Sequence, residues 1–236
     1  MARGTTLGEL VSQLRIESRL DPSPALSLNM VPLMEQTLRR TQERLYDEFD
    51  WPFLKITRDV TMEAGSRYYD VPVDMNLERI HSIDYLWSGQ WIPVDRGISV
   101  EQYNALDSDN DIRSDPIQRW DVGDMGDGQQ VEVWPVPAAN GNALRFTGIR
   151  KLKPLISQAH IADLDDQMIV LYAAAEMLGG AKNDLGALKL NMASARKKTL
   201  QGRVTKTRTN RFSLNGNTQD PNEGSRVPLV QYARAV

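Results

Sequence analysis

Apolar positions recur with a helical period between Leu7 and Phe49, with a period near two from Phe53 to Arg150, and with a helical period again from Met168 to Val204. Thr6-x-x-Glu9 is a capping box. Leu7, Leu10, Val11 and Leu14 follow it at helical spacing, which predicts a short amphipathic helix to about Arg19, stopped by Asp21-Pro22-Ser23-Pro24. Pro32 suits the first turn of a second helix. In it Met34, Leu38, Leu45 and Phe49 form the buried stripe, Arg39, Arg40, Glu43, Arg44 and Glu48 face solvent, and Trp51-Pro52 marks the end.

In the alternating region Leu54, Ile56, Arg58, Val60 and Met62 share one side. Gly65-Ser66 predicts a turn that folds Tyr68-Tyr69-Asp70-Val71 back on this strand as a hairpin. A second hairpin is expected from Arg79–Trp87 and Trp91–Val94 about Ser88-Gly89-Gln90, with Pro93 placing the return strand at an edge. Ser99-x-x-Gln102 predicts one short capped helix. Gln118–Val122, Val131–Trp134 and Leu144–Arg150 then complete about seven short strands, read as a small antiparallel sandwich or barrel.

Asp163 or Asp165 is expected to cap the next helix, through Met168, Ile169, Leu171, Tyr172, Ala175 and Leu178 to Gly179-Gly180. Asp184 is expected to cap the last, whose stripe is Leu185, Leu188, Met192, Ala195, Thr199 and Val204. Helices at both ends with strands between them predict an α+β protein. A helical bundle, discontinuous over 1–52 and 151–206, carries an inserted β domain at 53–150. Trp51 and Phe53 straddle the proline where the period changes and are expected at the interdomain junction. Residues 207–236 hold no sustained period yet carry Phe212, Leu214, Val227, Leu229, Val230 and Tyr232, which predicts an extended arm that orders against another surface.

Composition narrows the functional classes. The 236 residues are 41% hydrophobic and 25% charged, ordinary for a folded protein. Without cysteine there is no disulfide framework, thiolate metal site or cysteine nucleophile. No apolar run reaches the roughly 20 residues that span a bilayer, so a soluble, unexported protein is expected. His81 and His160 support no Ser/His/Asp arrangement. Asp107-Ser108-Asp109-Asn110-Asp111 opens like a calcium loop but has Ile112 where the turn needs glycine and Gln118 where a bidentate glutamate is needed. Gly123–Gly128 is glycine-rich, but it lies between strands and reads as a hairpin loop. Asp163, Asp165 and Asp166 are the one carboxylate group that a hydrolase could use, and helix capping accounts for them as well. No cofactor is expected.

The net charge of −3 hides two poles. Between Glu101 and Asp127 eight acids face Arg113 and Arg119, a local −6. From Arg196 to Arg211 seven bases stand without an acid. Such a tract suits DNA phosphates or, as favoured here, an acidic surface on a neighbouring subunit. Arg203, Lys206, Arg208 and Arg211, with Phe212, Leu214, Val227, Leu229 and Tyr232 beyond them, are the candidate partner-binding residues.

Taken in order, these segments resemble the head-to-tail adaptor (connector) proteins of tailed bacteriophages, of the tail tubular protein A-like kind. The residues that carry the resemblance are Leu45-Tyr46-Asp47-Glu48-Phe49-Asp50-Trp51-Pro52-Phe53 after a helix pair, Tyr69-Asp70-Val71-Pro72-Val73-Asp74, Arg79-Ile80, Val133-Trp134-Pro135-Val136-Pro137, Leu144–Arg150 and the alanine-rich Leu171–Leu178. The resemblance implies a non-enzymatic virion protein made in the host cytoplasm. It would form a homo-oligomeric ring, commonly a dodecamer, at the head-to-tail junction. Its implied partners are the portal protein, neighbouring adaptor subunits and a downstream tail or nozzle protein, with genomic DNA passing through the channel during ejection without sequence-specific binding and no membrane. The β region is longer than in minimal adaptors and is expected to meet additional tail or fibre proteins.

Overall fold

A computed structural model of the chain describes residues 3–20, 29–106, 112–124, 129–179 and 183–204. It opens with helices α1 (Leu7–Glu17) and α2 (Val31–Asp47). In α1 the Thr6 hydroxyl accepts the Glu9 N–H and the Glu9 carboxylate accepts the Thr6 N–H, which satisfies two first-turn donors reciprocally. Pro32 stands in the first turn of α2, where its missing N–H costs no helical bond. Met34, Leu38 and Leu45 are buried as their spacing requires. Arg39 departs from the expected wet face: it donates to the Leu155 carbonyl and, at 2.9 Å, to that of Ile156, because the chain after the sheet returns across α2 and offers unpaired carbonyls there.

After a 3-10 turn at Pro52–Leu54 come strands β1 (Lys55–Thr61), β2 (Tyr68–Asp70), β3 (Met75–Trp87) and β4 (Gln90–Arg96). Helix α3 (Val100–Ala105), capped by Ser99 and Gln102 as predicted, precedes β5 (Arg119–Asp124), β6 (Gln129–Trp134) and β7 (Ala143–Arg150). The strands form one sheet in the order β1-β7-β3-β4-β5-β6-β2, curled into a half-barrel. The sheet meets the expected small antiparallel sandwich or barrel in part and differs from it in two ways. There is one open sheet, and β4 pairs with β5 in parallel through Asp95↔Arg119 and Arg96↔Trp120. The crossover carrying α3 makes this possible, since parallel neighbours cannot be joined by a tight turn.

The hairpin expected about Gly65-Ser66 does not form. β1 pairs with β7 from Lys55↔Ile149 to Thr61↔Ala143, β2 pairs with β6, and the two strands lie at opposite margins of the sheet. The connecting segment is held by the 137–142 loop instead: the Met62 N–H donates to the Asn142 carbonyl at 2.8 Å and the Gly65 N–H to that of Pro137 at 2.9 Å. Gly65, at φ +82°, lies so close to the Arg113 guanidinium that a Cβ would meet it at 2.7 Å.

The β3–β4 hairpin does form, with Trp87↔Gln90 flanking Ser88 and Gly89 at φ 49° and 80°, the left-handed pair that a two-residue hairpin turn needs. Contrary to expectation β4 is an interior strand. Pro93 is tolerated because its pair, Asp84↔Pro93, falls in a non-hydrogen-bonded position counted from the turn, and β5 joins β4 only from Asp95 onward.

Two apolar clusters result. Met75, Ile83, Tyr85, Trp120, Val133, Leu144 and Phe146 belong to the one against the sheet. The other unites α1, α2 and the last two helices, α4 (Asp166–Met177) and α5 (Asp184–Val204), with Trp51, Leu54 and Ile149. Strand β7 serves both: Leu144 and Phe146 enter the sheet cluster, while Ile149, of opposite parity, enters the helical one. Helix α4 is apolar on nearly all sides, burying Met168 through Leu171 and Ala173 through Ala175, as a helix with neighbours on every face must. It packs against α1, α2 and α5.

Candidate assembly surfaces

Helix α5 is where chain geometry and predicted contact residues meet. Asn183 rather than Asp184 supplies its cap, accepting the Leu185 N–H at 3.1 Å. Asp184 in the first turn and Arg203 in the last complement the helix dipole. The inward side buries Ala193 and Leu200 and sends three bases to neighbouring acids. The Arg196 guanidinium grips Asp165 in two bonds, at 3.2 and 2.9 Å, Lys197 pairs with Glu48, and Lys189 pairs with Glu17. Part of the basic tract is therefore spent inside the subunit. Lys198 and Arg203 are exposed and form no ion pair among the described residues. Lys206, Arg208, Arg211, Phe212, Leu214, Val227, Leu229 and Tyr232, with the arm they belong to, lie outside the described residues.

The stripe expected to bury α5 points outward. Leu188 is 53% and Met192 45% exposed, and Ala195 and Thr199 are exposed as well. Helix α5 is anchored instead through buried Ala193 and Leu200 and through the ion pairs of Lys189, Arg196 and Lys197. The apolar period marked this stripe but carried no sign of whether its own core would cover it.

The three carboxylates that a hydrolase would use are held apart by separate tasks. Asp163 accepts from Arg150 at 2.7 Å and from the Lys153 N–H at 2.8 Å. Asp165 caps α4 through the Met168 N–H at 3.1 Å and pairs with Arg196. Asp166 accepts the Thr5 hydroxyl, and burial pushes its carboxyl above the ordinary aspartate range. His160 caps a turn, its Nδ1 accepting the Ile156 N–H at 3.1 Å, and His81 is an exposed strand residue. Among the described residues no three acids or histidines gather as a metal site. The 107–111 acidic loop lies outside them. No helix among them is long and apolar enough to cross a membrane.

Trp51 is buried in the helical cluster beside Leu54 and Ile149. Its indole N–H donates to the Leu45 carbonyl at 3.0 Å and its ring meets Phe49 edge-on at 4.9 Å. Phe53 is 36% exposed, with the Arg3 guanidinium 3.4 Å from its ring centre. Arg79, which the sequence flagged only within the resemblance, reaches from β3 to the end of α2 and donates to the Tyr46 and Asp47 carbonyls. A basic residue just past a helix-ending Trp-Pro and a strand is a weak signal by itself, since the distance it spans is tertiary.

No curated protein matches the chain. Residues 5–220 match the SU10 adaptor protein family, a span that takes in both helical segments and the whole sheet. By that match the chain belongs to the SU10 adaptor protein family and is a structural head-to-tail adaptor of a bacteriophage.

Proposed function

We propose that the protein is a tail tubular protein A-like ring of adaptor subunits that docks beneath the portal of the filled capsid, receives the tail and continues the DNA channel. The helical segments 1–52 and 151–206 form the ring body, 53–150 presents a β platform to the tail or nozzle protein, and 207–236 is an arm. Arg203, Lys206, Arg208, Arg211, Phe212, Leu214, Val227, Leu229 and Tyr232 are assigned to contacts with the portal or a neighbouring subunit.

The observation that supports this reading is the outward face of α5, where Leu188 and Met192 stand in solvent beside Lys198 and Arg203. An exposed apolar stripe ending in charges that form no ion pair among the described residues suits association. The DNA-binding alternative loses Arg196 and Lys197, which are bound to Asp165 and Glu48.

Sedimentation and native mass measurement of the full chain, alone and with the portal, test the reading. Multi-copy rings, free or on the portal, are expected. A single copy under both conditions, together with submicromolar duplex DNA affinity that falls steeply with salt, would replace it by the DNA-binding reading.

A further inference from the structure

Arginines that withdraw from solvent in this fold are met by acceptors. Arg39 reaches Glu35 and the Leu155 and Ile156 carbonyls, Arg67 reaches Glu132, Arg150 reaches Asp163 and Arg196 reaches Asp165. Arg15, in the last turn of α1, is the exception. It is the one buried arginine among the described residues, at 5% exposure. Its Nε is closed off from solvent without an acceptor, and no carboxylate among the described residues pairs with its guanidinium. A buried charge without a counter-charge is costly to a fold.

One turn on, the chain leaves α1 with a second arginine. The Arg19 N–H donates to the Ile16 carbonyl at 3.1 Å and the Leu20 N–H to that of Arg15 at 2.9 Å, the pair of bonds that closes a Schellman turn. This sets Arg19 at φ 56°, a left-handed position that glycine usually takes because a side chain is penalised there. Arg19 is exposed and has no charged partner among the described residues. The negative end of the α1 dipole favours cations here. It supplies no acceptor for the enclosed Nε, however, and it requires no side chain at the left-handed position.

A guanidinium held without a partner, with a second one turn away, suits an oxyanion, since its planar fork donates to two oxygens at once. The surroundings select a carboxylate carried by a protein. Ile16, 66% exposed, stands between the two arginines in sequence, and a docked protein surface covers such a side chain whereas a phosphate backbone does not. Glu17 follows, paired with Lys189. The end of α1 therefore lacks the continuous positive face that duplex DNA follows.

We propose that Arg15 and Arg19 form an anion site at the end of α1, filled on assembly by an aspartate or glutamate carboxylate of a partner protein. The protein partner rests on the adaptor-ring reading above; the anion site itself does not.

The test uses full-length chain, alone and with the portal. Inorganic phosphate, compared with chloride at equal ionic strength, should raise the melting temperature of the free parent by about 2 °C or more. That rise should vanish in Arg15→Met and shrink in Arg19→Gly. In chloride both variants should melt no lower than the parent, because one sheds an uncompensated charge and the other a strained turn. Both should assemble, alone or on the portal, at least about tenfold more weakly in sedimentation. An equal phosphate response in parent and variants overturns the site. So does a lower melting temperature of Arg15→Met in chloride, which would show the guanidinium to be satisfied within the subunit. A phosphate response confined to the parent, with normal assembly of both variants, overturns the protein carboxylate, and a matching loss of duplex DNA affinity would give the site to nucleic acid. A parent that stays single-copy, free and with the portal, overturns the ring reading and the protein partner together, while the phosphate response still decides the site.

Discussion

The Arg79 guanidinium ends helix α2 by donating to the Tyr46 carbonyl at 2.6 Å while lying 4.4 Å from the centre of the Tyr46 ring. Its second arm donates to the Asp47 carbonyl at 2.8 Å. The Tyr46 hydroxyl in turn donates to the Arg150 carbonyl at 3.0 Å and accepts from Asn76. One arginine on β3 thus satisfies the free carbonyls of a helix end and ties the helical layer to β3 and β7. Arg79→Ala should cost about 2–3 kcal/mol in denaturant unfolding. Arg79→Lys should recover only part of that, because an ammonium cannot serve two carbonyls with one planar fork. Equal stability of the two variants would show that the fork is unimportant.

Trp51 occupies the helical core with its indole N–H satisfied by Leu45. Trp51→Ala should lose about 3–5 kcal/mol. Trp51→Phe keeps most of the contact and should lose less, chiefly the bond that leaves the Leu45 carbonyl unpaired. A change below about 0.5 kcal/mol for the alanine variant would place this residue at the surface.

Gly148 sits where β3 bulges. A Cβ there would meet the Arg79 carbonyl oxygen at 2.7 Å and the Ile80 Cα at 3.1 Å, and the register of β3 on β7 shifts on either side of Ile80. Both clashes are with backbone, which cannot rotate away. Gly148→Ala should therefore destabilise by about 1–3 kcal/mol, whereas Gly89→Ala, with open space around it, carries only the strain of its positive φ.

Arg196 and Lys198 are near neighbours on α5 with opposite expected behaviour. Arg196→Ala strands the Asp165 carboxylate, whose side chain is 3% exposed, and should cost about 3 kcal/mol in thermal or chemical unfolding. Lys198→Ala should change stability by less than about 0.5 kcal/mol and act on assembly alone. Comparing unfolding with sedimentation for the two variants separates charges that hold the fold from those that meet a partner.

Asp166 gives the pH dependence a sign. Burial raises its folded-state pKa, with the neighbouring Asp165 charge adding to the rise and the Thr5 hydroxyl opposing it. Its protonated form's contribution to stability is complete below the ordinary aspartate pKa and is lost as pH rises through the raised value. Asp166→Asn stays neutral throughout, so its stability relative to the parent should increase with pH across that window. A difference that is flat with pH would show the carboxylate to be ionised without penalty.

Some of this architecture was legible in the chain because it is local. The capping boxes at Thr6 and Ser99, the proline start of α2 and the Ser88-Gly89 turn each place a donor or a backbone angle within four residues of its partner, so residue type and spacing suffice. The partner of β1 was not legible. Gly65-Ser66 offered a turn to β2, but β1 bonds to β7, the last strand in the sequence, and such pairing depends on which apolar faces meet after collapse. Arg79 and Gly148 belong with it, since a helix cap supplied from a strand and a glycine beneath a bulge exist only once distant segments touch. The residues of α5 show the boundary most clearly. Their period identified an apolar stripe, yet only the tertiary structure turned it outward, because Ala193 and Leu200 are buried and Lys189, Arg196 and Lys197 reach acids on other segments, which leaves Leu188 and Met192 uncovered.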